Sequence, residues 1–219
     1  ESVETSKLGG ISLTIIIGVT GISFSLPFGI VLALGRRSNM PALRSVCVIF
    51  IEFIRGVPLI TLLFVASTML TYFLPPGSTF DLLMRVLIMV TLFQSAYIAE
   101  IIRGGLQGLP QGQFEAADSL GLNYWKAHRL IILPQALKIS IPPIVNTFIS
   151  LFKDTTLVLI IGMMDIVGLG RARLNDPYWL GLAGELYLFI AIFFFTCCFS
   201  MSRYSINLEK KLSIGHRDS

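Results

Sequence analysis

Three groups of residues have the types and spacing to do chemistry. The first is Glu115-Ala116-Ala117-Asp118-Ser119-Leu120-Gly121, followed after nine residues by Ile131-Ile132-Leu133-Pro134. Small apolar residues beside carboxylates, then a glycine bend, suit contact with another surface rather than bond-making. The second group is Glu52 with Arg55, and Glu100 with Arg103. Each pair is three residues apart, so each shares a helix face and can form an ion pair. The third is Lys153 with Asp154, flanked by Asn146, Thr155 and Thr156. Adjacent charges on a helix point in different directions, so these two need partners elsewhere. A polar wall of this kind can offer an acceptor to an ammonium and donors to a carboxylate. An interhelical network or a dimer seam is the equally open structural reading. Glu52 and Arg55 carry the same ambiguity: a self-neutralising pair, or a lining for a substrate path.

The elements that position these groups are apolar. The chain of 219 residues is 54% hydrophobic and 14% charged, whereas a soluble domain carries roughly 25% charged residues. Such a chain cannot cover itself with a polar surface, so the lipid bilayer is its expected surroundings. A membrane helix needs about 20 mostly apolar residues. Five stretches qualify, at about 10–35, 45–74, 82–102, 138–164 and 182–202, leaving a loop at about 104–137. The expected fold is all-α, a polytopic membrane protein of five transmembrane helices forming one domain over 1–219. The second span is interrupted by Arg55-Gly56-Val57-Pro58, and Pro142-Pro143 predicts a kink at the start of the fourth. Breaks survive in lipid only where protein or a polar cavity satisfies the freed backbone groups.

Orientation follows from the basic residues. Eleven of the seventeen lysines and arginines fall in one set of connections and four in the other, with Arg55 and Lys153 inside spans. This predicts the N-terminus outside, and the C-terminus and the 104–137 loop in the cytoplasm. Gly104, Gly108 and Gly112 recur every four residues, a spacing for close helix contact in a membrane and, where the segment leaves it, equally for flexibility or close docking. The turn-rich segment 75–81 reads as an outer link, and Tyr178-Trp179 as an interfacial anchor. Asp165, His128 and His216 are expected to be solvated. Cys47, Cys197 and Cys198 lie in apolar runs without metal-ligand spacing and read as small apolar residues. The chain starts with Glu1 and shows no signal-peptide pattern, which suggests a piece of something longer.

Within the loop, Phe114, Ala117, Leu120 and Gly121 fall on one face of a short helix. Gly121 stops it, Asn123 caps a second helix, and Pro134 is expected to end that one. Two short helices at an angle make a knob for a groove on another protein. An amphipathic hairpin lying on the lipid surface is the alternative that the residues alone leave open.

Glu-Ala-Ala, three residues, Gly, nine residues, Ile, one residue, Leu-Pro is similar to the EAA loop of importer-type ABC permeases. The match falls on Glu115, Ala116, Ala117, Gly121, Ile131, Leu133 and Pro134 without departure. Gln94-Ser95-Ala96-Tyr97-Ile98-Ala99-Glu100, Glu52-Phe53-Ile54-Arg55-Gly56-Val57-Pro58 and Phe152-Lys153-Asp154-Thr155-Thr156-Leu157 resemble the polar amino-acid branch, nearest to its broad-specificity L-amino-acid permeases. The resemblance covers about residues 10–212. It implies a permease subunit in a bacterial inner membrane, moving polar L-amino acids from periplasm to cytoplasm. It also implies a cytoplasmic ATPase dimer gripping the loop, a second permease subunit of the same or a related chain, and a periplasmic amino-acid-binding protein. Glu115 then makes the partner contact and Gly121 sets the turn.

The chain has no Gly-x-x-x-x-Gly-Lys-[Ser/Thr] phosphate loop. On that reading it binds no cofactor itself, and ATP and Mg belong to the partner. A small secondary carrier or channel working without an ATPase would also explain broken helices and buried charges, but not the two-helix element. No metal pair or Ser-His-Asp set supports a membrane enzyme, and no basic, aromatic-interleaved run supports nucleic-acid binding.

Overall fold

A computed structural model describes residues 8–69, 72 and 80–214. Helix α1 spans Gly10–Arg36. Its 27 residues reach about 40 Å at 1.5 Å per residue, more than the roughly 30 Å of a bilayer core. Helix α2, Pro41–Gly56, and α3, Leu59–Phe64 with a wide turn over Val65–Met69, follow. Then come α4 (Leu82–Gln107), α5 (Gln111–Ser119), α6 (Tyr124–Ala127), α7 (Leu133–Asp154), α8 (Ile166–Arg173) and α9 (Ala183–Ile214). The described residues contain no β-strand, only an isolated bridge between Gly10 and Asp165. Four helical runs are long and apolar enough to cross a membrane: Gly10–Arg36, Leu82–Gln107, Tyr124–Ile161 and Ala183–Lys211. A fifth exists only if α2 and α3 together count as one span.

The predicted interruption of the second span is a bend of 103°. Its cause is local. A residue before proline is pushed out of the helical region, and Val57 (φ −110°, ψ 134°) and Pro58 (φ −60°, ψ 141°) are both extended. Two extended residues between helices turn the chain through a corner. Helix α2 has 16 residues, about 24 Å of rise, so it cannot cross a bilayer alone. The outer part of the expected span and most of the 75–81 link lie outside the described residues. Asp81 is described and caps α4, accepting a hydrogen bond from the Leu83 amide at 2.7 Å.

One other expectation is corrected. Pro134 does not stop the second loop helix; it stands in the first turn of α7, which runs from Leu133 to Asp154 and also contains Pro142 and Pro143. A proline lacks the N–H for the i−4 bond and crowds the turn before it. Residues His128–Ile132 form a wide turn just upstream, with the Leu133 N–H reaching back five residues to the His128 carbonyl. That turn makes room for Pro134 in the first turn of α7, so the helical run continues from the loop into the span.

The core is built on α1, which packs most extensively on α4, with α7 against α4 and α9 against α7. Leu13, Ile17, Val86, Val90, Leu151 and Val158 form one apolar cluster; Ala33, Ile98, Ala99, Ile102, Leu106, Ile132 and Ala136 form a second. Small residues permit the close contacts. A Cβ at Gly29 would lie 2.5 Å from Ile98 Cγ2, and one at Gly105 would lie 2.6 Å from the Ala136 carbonyl oxygen. The Gly104/Gly108/Gly112 spacing therefore pointed one residue off the contact: Gly104 and Gly112 have open space. Helix α9 leaves Phe189, Ile192, Phe195 and Phe199 exposed on its outer side.

The α1 N-terminus is pinned to the segment before α8. The Gly10 N–H donates to the Met164 carbonyl at 2.7 Å, and the Ile166 N–H to Thr14 Oγ1 at 3.4 Å. Asp165 is not a solvated loop residue but fully buried, capping α8 through Oδ1 and the Gly168 amide at 2.8 Å. Burial pushes its carboxyl above the usual carboxylate range, while the Gly168 and Val167 amides pull the other way.

The two adjacent glycines give a paired test of the packing. Gly105→Ala drives a methyl into the α7 backbone and is expected to cost about 1–3 kcal/mol. Gly104→Ala meets nothing and is expected to be neutral or to stabilise by up to about 1 kcal/mol through helix propensity. Thermal unfolding in detergent separates them; equal midpoints for the two variants would contradict the contact.

Candidate functional site

Helix α5 ends at a glycine that its geometry requires. Gly121 has φ +67°, and its N–H donates to the Asp118 carbonyl at 2.9 Å while the Leu122 N–H reaches the Ala117 carbonyl at 3.3 Å. These two bonds satisfy the last carbonyls of the helix and need a left-handed residue at that position. Nothing lies within 4 Å of a Cβ built there, so the requirement is one of backbone conformation, not of space. Asn123 caps α6 as expected, its side-chain oxygen accepting from the Lys126 N–H at 2.9 Å.

The apolar ridge expected on α5 is divided between two surfaces. Ala117 is fully buried, and Phe114 is half-buried against the second core cluster. Leu120 and Gly121 face outward with Glu115 and Ala116. The inward pair fastens the elbow; the outward residues, with the 69% exposed Trp125, form its free surface. Ile131 and Leu133 are half-buried beside the same cluster, and Pro134 is exposed. These three shape the return into the membrane and belong to the elbow's root, not its tip.

Four further contacts stiffen the elbow and were not legible from spacing. Gln135 Nε2 donates to Gln113 Oε1 at 2.9 Å, tying α5 to α7. The Arg37 guanidinium lies 5.5 Å from the centre of the Phe114 ring. His128, expected to be solvated, stacks at 4.0 Å on Tyr124, with its Nδ1 3.0 Å from the Tyr124 carbonyl. The Phe114 ring meets the other side of this cluster, edge-on to His128 at 6.4 Å.

Among the span charges, Glu52 and Arg55 do not pair with each other. Glu52 accepts from Arg36 Nη1 at 2.8 Å, and the same nitrogen lies 3.2 Å from Glu100. Glu100 also pairs with Arg103, as their spacing predicts, and lies 4.0 Å from Arg55, whose guanidinium sits over the Tyr97 ring. The end of α1 brings Arg36 between the two helices, and a shared guanidinium replaces the expected intrahelical pair. Glu100 thus gathers arginines from α1, α2 and α4. Arg36 was the missed member; its place at a span end, level with the Glu52 turn, was the only available signal.

The polar residues of the fourth span do not join this network. Asn146 and Lys153, seven apart and so on one helix face, are both exposed on this chain. The Lys153 ammonium has no hydrogen-bond or ion-pair partner among the described residues. Thr155 is buried and donates to the Phe152 carbonyl, and Thr156 donates to that of Lys153, so both hydroxyls serve the backbone where α7 gives way to a tighter turn. Asp154 is half-buried at that transition.

Residues 25–214 match the family described as binding-protein-dependent transport system inner membrane component. The chain is 60% identical over 216 residues to the glutamate/glutamine/aspartate/asparagine transport system permease protein BztC of Rhodobacter capsulatus, covering 98% of this chain and 50% of that protein. It is 57% identical over 215 residues to the inner membrane amino-acid ABC transporter permease protein YhdY of Escherichia coli, covering 98% and 59%. The chain therefore spans only half to three-fifths of the length of these two relatives. A crystal structure of an amino acid ABC transporter with histidines superposes with a TM-score of 0.79, at 30% identity over 92% of each chain.

The charge network yields a graded prediction. Glu100→Gln leaves three guanidiniums around a neutral group. Because the Glu100 side chain is 21% exposed, solvent screening reduces the full cost of breaking a buried pair to roughly 1–2 kcal/mol. Glu52→Gln, at a side chain 53% exposed, is expected to cost less than about 1 kcal/mol. Denaturation midpoints in detergent check the order; a larger loss at Glu52 would refute Glu100 as the hub.

Proposed function

This chain belongs to the family of binding-protein-dependent transport system inner membrane components, and from that premise we propose that it is the permease part of an ATP-driven amino-acid importer. Its α5–α6 elbow is the handle by which a separate cytoplasmic ATPase dimer moves the membrane helices. A second permease subunit completes the pathway, and a periplasmic binding protein delivers the substrate. The N-terminus faces the periplasm and the elbow the cytoplasm, in keeping with the placement of basic residues. ATP and Mg are held by the ATPase.

One observation carries the reading: the elbow is fixed on one face and free on the other. Ala117, Phe114 and Gln113 fasten α5 to the bundle, while Glu115, Ala116 and Leu120 face away. A soluble motor that pulls on membrane helices needs a grip that does not fold away under load. The free carboxylate of Glu115 offers a directed contact beside the small Ala116. The name of the similar Rhodobacter capsulatus permease points to acidic amino acids and their amides as the substrate class, that of the Escherichia coli permease to amino acids at large, and a polar zwitterion suits the polar end of α7. There, Lys153 and Asn146, on a face this chain leaves uncovered, are candidate donors, and the half-buried Asp154 beside that face is a candidate acceptor. Glu52 and Arg55 join that path as its charged boundary, and Thr155 and Thr156 shape its backbone.

The test is made on the full complex in proteoliposomes, with uptake of a panel of amino acids measured with and without ATP. Uptake of glutamate, glutamine, aspartate or asparagine that requires ATP is the expected result; ATP-independent uptake would overturn it. Within that system, Gly121→Val strains the left-handed turn by about 1–2 kcal/mol. It is expected to lower transport per ATP hydrolysed at least severalfold, with Gly121→Asn milder because asparagine tolerates that conformation. Glu115→Ala is expected to weaken copurification of the ATPase; undiminished recovery would remove its assigned contact.

A further inference from the structure

Where α1 ends and α2 begins, a cleft of about 830 Å³ opens, lined by Arg36, Arg37, Arg44 and Arg103 with Ser45 and Gln107. No carboxylate lines it. Arg36 and Arg103 have ion pairs at Glu100. Arg37 and Arg44 have none among the described residues. Arg37 lies over the Phe114 ring, which occupies one face of its guanidinium and leaves N–H edges free. Pro41, the first residue of α2, also borders the cleft. The positive end of a 16-residue helix therefore adds to the same field. Arg36 is also paired with Glu52. Arg37 and Arg44 are thus the two lining guanidiniums without a counter-charge among the described residues. Two such groups in one concave place call for an anion, and guanidiniums in a group suit the tetrahedral, multi-oxygen surface of a phosphate.

We infer that this cleft holds the phosphodiester of an anionic glycerophospholipid. The surroundings favour a lipid over a soluble phosphate. The cleft lies at the end of two membrane-crossing helices, α1 and α4. Val48 forms part of its wall. On α2, Val46, Ile49 and Phe53 are 66%, 68% and 62% exposed, an apolar strip running away from the arginines that no described residue covers. Acyl chains fit along that strip while the headgroup sits among the guanidiniums; a free phosphate would leave it bare. The absence of a carboxylate from the lining also selects the headgroup. A choline would bring a cation with no counter-charge to meet it, whereas a glycerol headgroup brings only hydroxyls, which Ser45 and Gln107 can bond.

The intact complex in mild detergent, titrated with dioleoyl phosphatidylglycerol or dioleoyl phosphatidylcholine and read by native mass spectrometry, tests this. Phosphatidylglycerol is expected to be retained severalfold over phosphatidylcholine. Arg44 is exposed and makes no core contact, so Arg44→Gln leaves the fold alone; it is expected to lower phosphatidylglycerol retention about fivefold, the effect of one basic residue at an anionic surface. Arg44→Lys is expected to keep most of it. Equal retention of the two lipids, or no change in Arg44→Gln, would overturn the inference. So would displacement of the lipid by millimolar inorganic phosphate, which would make the site one for soluble anions. A complex in which another subunit covers Arg44 and no lipid is retained would equally refute it.

Discussion

Helices already in lipid gain little by hiding apolar surface from one another, so their association rests on how closely their backbones can approach. In this chain that approach is made at a few small residues. Gly18 and Gly21 let α1 meet Phe152 and Leu151 of α7, Gly29 lets it meet Ile98 and Ala99 of α4, and Gly105 lets α4 rest on the Ala136 carbonyl of α7. The rest follows from that register. With Gly29 seated on Ile98 and Ala99, Arg36 lies about two turns further along α1, within reach of Glu100. A larger residue at the contact would lift α1 away and take the arginine with it.

The same register explains why the charges inside the bundle are tolerated. An ionisable group in a membrane persists when protein or water meets it. Glu100 is met by three arginines, and Arg55 additionally by the face of Tyr97. The sharp corner at Val57-Pro58 follows directly on the turn of α2 that carries Glu52 and Arg55, so the backbone break and the charge network lie at the same end of α2. The network also borders the basic cleft, through Arg36 and Arg103. Arg36 and Arg37, adjacent in sequence, divide the work: one neutralises the span carboxylates and the other lies on Phe114 of the elbow.

Much of this was legible in the sequence where local rules govern. The apolar runs gave the spans, Val57-Pro58 gave the break, and Gly121 and Asn123 gave the turn and cap, because each depends on neighbours a few residues away. What was not legible depended on which helix lies beside which. Glu52 and Arg55 share a helix face, yet the nearer partner of Glu52 comes from α1, sixteen residues earlier. The four-residue glycine spacing suggested Gly104, but rotation of α4 by one position turns Gly105 inward. Phe114 and Leu120 looked like members of one ridge; the bundle takes the first and leaves the second outside. Pro134 looked like a stop because a proline normally ends a helix, and only the wide turn before it, itself invisible to pattern, lets the helix pass. Asp165 looked solvated because it falls just outside a span, whereas it is buried beside Gly10, far away in sequence.

That wide turn has a mechanical consequence. Had the helix ended at Pro134, the elbow would hang from the span by a flexible joint, and displacement at its tip would be lost in bending. Instead the helical run from Tyr124 to Ile161 is continuous, and the extra carbonyl spacing over His128–Ile132 is filled by Ile132 in the core and by the His128–Tyr124 stack. On the proposed reading, with α5 tied to this run through Gln113 and Gln135 near its root, push and rotation at Glu115 would reach α7 as a body. The far end of α7 carries Lys153 and Asp154, where the regular helix tightens at Thr155. A single lever therefore joins the outward-facing carboxylate of the elbow to the polar end of the fourth span. The stiffness that the proposed coupling needs comes from a helix that passes through its proline.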